Sequence, residues 1–596
     1  MFSSRIFASL ASLAVALPLT AACSTGPSEQ DVATAFLDAV AAGDAGAAAQ
    51  RTDAPQPARQ AIDTTRQALS PESVRATVRG VTETERGARA DYDMSWDLGG
   101  GRVWEYRGSV PLTETDQGWR VRWSPSALHP ELGAGQTAAL RVDEPEPAPV
   151  LDRDGTPLMT PEQLITVTLH PNEAGDVPGV AAALADALDD IEPAITQQTI
   201  MDGVGRTRPG APYAVVTLRQ GDYERVRDRI YDLPGVRFPA QTRLVTAERG
   251  YASQVLGGVE RKAREQVEAA AGWRVVAVDG GGAETAVLHE VAPRPVEPIG
   301  TTLSDPTQRA AEQAVDPVPQ AAMLVAMRPS SGEVLAVAQN DPADRQGPVA
   351  LTGQYPPGST FKAVTATAAL ESGAVGIDTP VACPARQTFD GREIPNDKEF
   401  ELGTVPLRTA FAQSCNTTFA QLAVDQPPEA LPDAAQRLGL GVDFDMPGAI
   451  TITGDVPPAE SVVQRAANGI GQGEVLASPF GMALATSSIV NGRMPVPTLV
   501  RGEETTANAT PQPPSPQTLD QVRAMMREVV TSGTATGVAG SGEVSGKTGT
   551  AQYGDGTRSH GWFIGFRGDL AFAVLLTDAG SSGPAVDTAR AFLGGL

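Results

Sequence analysis

Apolar positions along this chain switch between two periods, and the switches outline its elements. Ser28-Glu29-Gln30-Asp31 precedes Val32, Phe36, Leu37 and Val40 at helical spacing, which predicts a capped helix opening the first folded segment. Residues 90–98, 103–112 and 119–123 then read as strands, the last alternating Trp119, Val121 and Trp123 after the turn Asp116-Gln117-Gly118. That order makes a small α+β domain. It holds no cluster of catalytic residue types, and its Trp pair reads as core.

Proline-rich punctuation marks the end of this domain. Asp143-Glu144-Pro145-Glu146-Pro147-Ala148-Pro149 favours an extended linker. Beyond it come Asp152-Arg153-Asp154-Gly155, a helical pattern over 180–188, a strand over 213–218 and a helix over 222–231. Ala292-Pro293-Arg294-Pro295-Val296-Glu297-Pro298 repeats the punctuation. The last segment opens with Thr301-Thr302-Leu303, a helix over 308–315 and two apolar runs, 323–327 and 334–337, joined by the hairpin turn Pro329-Ser330-Ser331-Gly332. Residues 562–566 and 570–577 form a second hairpin pattern, and 586–593 a closing helix. Strands at both ends with helices between predict one sheet assembled from distant segments. The expected boundaries are 1–22 for a leader, then domains over 23–142, 150–291 and 299–596, with no internal repeat.

Composition agrees with several domains, since 596 residues exceed what one core serves. Hydrophobic residues at 41% and charged residues at 20% describe a folded chain. A formal net charge of -25 excludes nucleic acid as a partner, because phosphate binding needs a basic stripe. Arg5 precedes an apolar stretch over 6–22, short for a transmembrane helix and suited to an export signal. The stretch ends Leu19-Thr20-Ala21-Ala22-Cys23, which resembles a bacterial lipobox with Thr20 in place of the usual aliphatic residue. The chain is therefore expected at the extracytoplasmic face of the cell membrane, anchored through a lipid on Cys23, the alternative being a signal with an incidental cysteine.

The candidate chemistry lies in the last segment. Lys262, Lys362, Lys398 and Lys547 are the only lysines, so each invites explanation. Unlike arginine, a buried lysine can act as a base once desolvation or a neighbouring cation lowers its pKa. Lys362 stands in Tyr355-Pro356-Pro357-Gly358-Ser359-Thr360-Phe361-Lys362, where proline and glycine end a loop and a helix begins. Ser359 and Lys362 then lie one turn apart on one face, a nucleophile with its base. Taken alone, Ser-x-x-Lys reads better as a structural serine cap followed by an exposed lysine. Ser414-Cys415-Asn416 and Lys547-Thr548-Gly549-Thr550 change the balance, because they follow in the chain order of the active-site motifs of β-lactam-interacting serine enzymes. The second string reads as an edge strand whose Gly549 lets a substrate backbone come close.

These motifs, with Gly469-Ile470-Gly471-Gln472-Gly473, Ser532-Gly533-Thr534-Ala535 and His560-Gly561-Trp562-Phe563, resemble the transpeptidase domain of class B penicillin-binding proteins. With the lipobox, the whole resembles a penicillin-binding lipoprotein. The resemblance implies an antiparallel sheet flanked by helices over 299–596, a non-catalytic α/β pedestal or dimerisation domain over 150–291, and a cone-like α+β domain over 23–142 of the low-affinity type. It also implies peptidoglycan D,D-transpeptidation. Lys362 takes the Ser359 proton, the serine attacks a D-Ala-D-Ala stem peptide, and backbone N–H groups of Ser359 and Thr550 hold the oxyanion. Ser414 relays the proton and Asn416 positions the substrate. Lys547, Thr548 and Thr550 receive its terminal carboxylate, Gly549 lying between them. Stem peptides, β-lactams, the membrane and other cell-wall synthesis proteins are the implied partners.

Three plainer readings complete the picture. His560 shapes its strand, because the three motifs already supply base and relay. Export favours a disulfide between Cys383 and Cys415 over a reactive thiol, closing a loop of about 33 residues at a gain of roughly 3–4 kcal/mol. The four histidines and three cysteines offer no metal-ligand spacing, so no metal or cofactor is expected. The rival functions are a D-Ala-D-Ala carboxypeptidase, a β-lactamase, and a non-catalytic β-lactam sensor or scaffold. No Glu-x-x-Leu-Asn stretch occurs, which argues against a class A β-lactamase.

Overall fold

The computed structural model describes residues 26–554 and 556–596, so the predicted leader and Cys23 lie outside the described residues. The chain divides into two units, the first made of residues up to 145 together with 270–294, the second of 146–269 with 295–596.

In the first unit the predicted helix is Glu29–Ala42, started by a capping box in which Ser28 Oγ accepts from the Asp31 N–H and Asp31 accepts from the Ser28 N–H. Its buried face is the predicted one, Val32, Phe36, Leu37 and Val40. An antiparallel four-stranded meander lies beyond it, over Ser73–Thr84, Gly87–Asp97, Val103–Thr115 and Gly118–Val121. Tyr92, Trp96 and Trp104 fill its core, and Trp119 and Trp123 pack against that core half-buried. His129 is stacked on Trp104 with ring centroids 5.1 Å apart, and burial lowers its pKa to about 4, so it packs as a neutral ring.

A second sheet of this unit is built from both ends of a long excursion. The strand Thr137–Asp143 pairs antiparallel with Gly272–Val278, in register from Asp143↔Gly272 to Thr137↔Val278, and Glu284–Val291 adds the third strand. Trp273, Val275 and Ala277 reach into the first unit's core. Residues 270–291, which the proline linkers assign to the middle domain, thus complete the first one. Pairing decides membership here, and linker composition does not reveal it.

The second unit opens with the Asp152-Arg153-Asp154-Gly155 turn. Buried Asp152 accepts from the N–H groups of Asp154 and Thr156 through Oδ1, both at 2.8 Å, and from that of Asp305 through Oδ2 at 3.3 Å. Arg153 pairs with Glu333 at 2.9 Å, both largely buried. The turn thereby ties a pedestal, built around the long strand Pro157–Leu169, to residues that frame the C-terminal sheet. Helices Val177–Leu188, Gln197–Arg206 and Gln220–Ile230 share a separate small core with that strand.

The C-terminal sheet is antiparallel throughout, in the order Val334–Gln339, Ala322–Met327, Leu570–Leu576, Arg558–Arg567, Ser545–Tyr553. Its central strands are buried on both faces, so they appear in the sequence as continuous apolar runs. Helices Asp305–Val315 and Gly583–Gly594 pack on it, as does Pro479–Asn491, a helix buried over residues 479–489. Ser545–Tyr553 is the edge strand, and it meets the turn that carries Ser359.

Candidate active site

Ser359 sits half-buried in a tight turn, Gly358–Phe361, that runs straight into the helix Lys362–Glu371. Pro356 and Pro357 lead into the turn, and its position is fixed from several sides. The Trp562 indole donates to Pro356 O at 2.9 Å, Thr360 Oγ1 donates to Pro357 O at 2.7 Å, and the Gly358 N–H donates to Gly471 O at 2.9 Å. Glycines allow this closeness. A Cβ on Gly549 would lie 2.8 Å from Pro357 O and 3.1 Å from the Thr360 nitrogen, and one on Gly358, at φ +53°, would lie 2.6 Å from Thr550 O. The backbones of Ser359 and exposed Thr550 are therefore neighbours across the seam between turn and edge strand.

Lys362 is fully buried. Its Nζ donates to Ser414 O at 2.7 Å, to Asn416 Oδ1 at 2.7 Å and to Ser414 Oγ at 3.2 Å. Lys547, also fully buried, donates to the same Ser414 Oγ at 2.9 Å and to Thr548 O at 3.0 Å. One hydroxyl thus bridges two amines. Burial lowers the Lys547 pKa to about 7. Lys362 is pushed well below the usual lysine range, first by burial and second by the Lys547 charge. Of the two causes expected from the sequence, desolvation and a neighbouring cation, desolvation is the larger.

Three acceptors fill the three donors of a Lys362 ammonium, and Ser359 Oγ is not one of them. A neutral amine keeps two donors and frees a lone pair. Releasing the longest contact, to Ser414 Oγ, gives that lone pair to a hydroxyl proton. The arrangement can therefore take a proton from a serine one turn away and exchange it with Ser414.

Ser414 adopts φ +61°, a left-handed conformation that costs a non-glycine residue about 1 kcal/mol or more. Backbone bonds hold it there, from its own N–H to Phe411 O at 3.0 Å and from the Cys415 N–H to Ala410 O at 2.8 Å. Cys415 is joined to Cys383 by a fully buried disulfide. Asn416 begins the helix Asn416–Val424 and donates through Nδ2 to Pro395 O at 2.9 Å. Thr548 Oγ1 shares a 2.6 Å hydrogen bond with Thr534 Oγ1, and the Thr534 N–H donates to Ala412 O at 3.2 Å, so the Ser532-Gly533-Thr534 string ties the edge strand to the Ser414 loop. His560 is buried with its ring 4.1 Å from that of Tyr553, and its pKa is lowered to about 4, chiefly by burial.

All the motif residues converge, and the structure adds groups the motifs do not name. Trp562 and Thr534 belong to strings noticed in the sequence, but their partners are spatial. Asn396 has no signal at all beyond a turn-forming residue, although it accepts from the backbone N–H groups of Asn416 and Thr417.

Comparison with known proteins matches this layout. Residues 322–593 fit the model of the penicillin binding protein transpeptidase domain, and residues 28–136 that of the NTF2-like N-terminal transpeptidase domain. Penicillin-binding protein 3 of Bacillus subtilis is 24% identical over 578 residues, covering 84% of each chain. The peptidoglycan D,D-transpeptidase PbpA of Mycolicibacterium smegmatis is 30% identical over 334 residues, 47% of this chain and 67% of that one. The fold is also that of PBP2 in its complex with MreC from Helicobacter pylori, at TM-score 0.61 and 18% identity over 77% of this chain and 98% of that one. A transpeptidase domain around Ser359, preceded by an NTF2-like domain, places the chain in the class B penicillin-binding protein family.

Proposed function

We propose that the chain is a serine-type peptidoglycan D,D-transpeptidase that β-lactams inactivate by acylating Ser359. The observation that carries this is Ser414 Oγ standing between two buried amines, 3.2 Å from Lys362 and 2.9 Å from Lys547, beside the turn that presents Ser359. Neutral Lys362 takes the Ser359 proton as Oγ attacks the carbonyl of the penultimate D-alanine. Backbone N–H groups of Ser359 and Thr550 lie at the seam where the developing oxyanion forms. The proton passes through Ser414 to the departing D-alanine nitrogen as the C–N bond breaks. An amine of a second stem peptide then attacks the ester, returns a proton to the site and frees Ser359. Lys547, Thr548 and Thr550 suit the donor's terminal carboxylate, and Asn416 its amide. A β-lactam opens at its own C–N bond and keeps its leaving nitrogen attached, so the adduct persists.

Incubation with fluorescent penicillin tests the reading: the wild type retains one covalent label and Ser359→Ala none. Equal labelling of both would overturn it. Rapid release of the label would move the assignment to a β-lactamase. The same reading holds the chain at the extracytoplasmic face of the cell membrane through a lipid on Cys23: Cys23→Ala is expected to lose membrane fractionation, and a variant that still fractionates with membranes would overturn the lipid anchor.

A further inference from the structure

The helix that begins at Asn416 lacks an ordinary cap. Its N-cap position is Cys415, whose sulfur is committed to the disulfide with Cys383, and no side chain of its own accepts from the first turn. The missing oxygen comes from another part of the chain. Asn396, 2% exposed, accepts through Oδ1 from the N–H groups of Asn416 at 2.8 Å and Thr417 at 3.2 Å. Its Nδ2 donates to Pro384 O at 2.8 Å and Phe400 O at 2.9 Å, which sets the amide's orientation. The preceding residue, Pro395, takes the Asn416 Nδ2 hydrogen bond on its carbonyl. Asn416 is thus held on its backbone and side chain by residues 395–396, and on its Oδ1 by Lys362.

We propose that Asn396 is a positioning residue of the transpeptidase site, capping the Asn416–Val424 helix from a distance so that Asn416 and Ser414 present their oxygens to Lys362. This rests on the reading of Ser359 as the acylated nucleophile. Proline, serine or threonine at position 396 cannot both accept from the helix and donate to two carbonyls. An aspartate keeps the accepting oxygen, loses both donors and adds a negative charge against the backbone N–H of Asn416, whose Oδ1 accepts from Lys362.

Acylation of Ser359 by fluorescent penicillin, followed as a rate against pH, tests the proposal in the full chain. Gln308→Ala is the control: Gln308 is an equally buried amide that bonds Val337 backbone in both directions at 2.8 Å in the same unit. Asn396→Ala is expected to slow acylation by roughly 10- to 100-fold at equal folded fraction, the scale of a misplaced reacting group, with Gln308→Ala at near wild-type rate. Asn396→Asp is expected to recover much of the rate, with the half-maximal pH moved upward, because the new charge favours the Lys362 ammonium; Lys547 is the other charge bearing on that group. The proposal is overturned if Asn396→Ala costs no more than Gln308→Ala. It is equally overturned if Asn396→Asp recovers no rate and leaves the pH midpoint in place. Should Asn396→Ala not fold, Asn396→Asp alone decides through its pH midpoint. A wild type that takes no label sinks the nucleophile assignment instead.

Discussion

At the residue scale, two buried lysines meeting at one hydroxyl cost the folded state. Lys547 has its pKa lowered to about 7 and Lys362 is depressed well below its usual range, whereas in the unfolded chain both protonate with a pKa of about 10.4. Between the folded and unfolded values the unfolded chain binds more protons, so stability rises with pH across that window, and below the folded value the penalty is fully present. For Lys547 alone this penalty is roughly 3–5 kcal/mol at low pH. The thermal midpoint of the second unit is therefore expected to rise between pH 7 and 9. Lys547→Met should flatten that rise while abolishing acylation of Ser359; identical pH slopes in calorimetry of the two proteins would refute the account. The residues of this chemistry were legible because each motif is local: Ser359 with Lys362, Ser414 with Asn416, Lys547 with Thr548 and Thr550. Asn396 was not, since its partners lie 20 residues on and a buried amide looks like any turn residue in a string of letters.

At the element scale, the site is a seam between a turn and an edge strand that glycines hold shut. Gly549 faces the backbone of Pro357 and Thr360 and the methyl of buried Thr360, so a side chain there has no flexible neighbour to displace. Gly549→Ala should separate strand from turn by enough to slow acylation about 100-fold, the order expected for displacements near 1 Å, while the chain stays folded by circular dichroism. An unchanged acylation rate would show that the seam tolerates a methyl group. Hairpins such as 562–566 with 570–577 were readable from their apolar runs, and the Glu29–Ala42 helix from its cap. The helix Pro479–Asn491 was not, because burial over residues 479–489 removes the 3.6-residue alternation that marks a surface helix.

At the scale of the whole molecule, the chain leaves the second unit at residue 270 and re-enters it after 294, and the Arg294 N–H donates to Ala270 O at 2.8 Å. The excursion closes on itself. Deleting residues up to 145 should therefore strand Gly272–Val278 without its Thr137–Asp143 partner and uncover Trp273, Val275 and Ala277, giving an aggregating product by light scattering. Replacing 270–294 by a short glycine-serine linker in the same truncation should restore a monodisperse unit that labels with penicillin. If the simple truncation is already monodisperse, the pairing is dispensable. Two passages between the units, at 145–146 and 294–295, fall inside the proline-rich stretches; strand membership was not legible there, because pairing partners separated by residues 144–271 leave no mark on either linker. One consequence concerns synthesis. During translation from the N-terminus the first unit cannot finish its second sheet until residue 291 has emerged, by which time the whole of 146–269 is already available to collapse, so this unit, first in sequence, completes its fold after part of its successor has appeared.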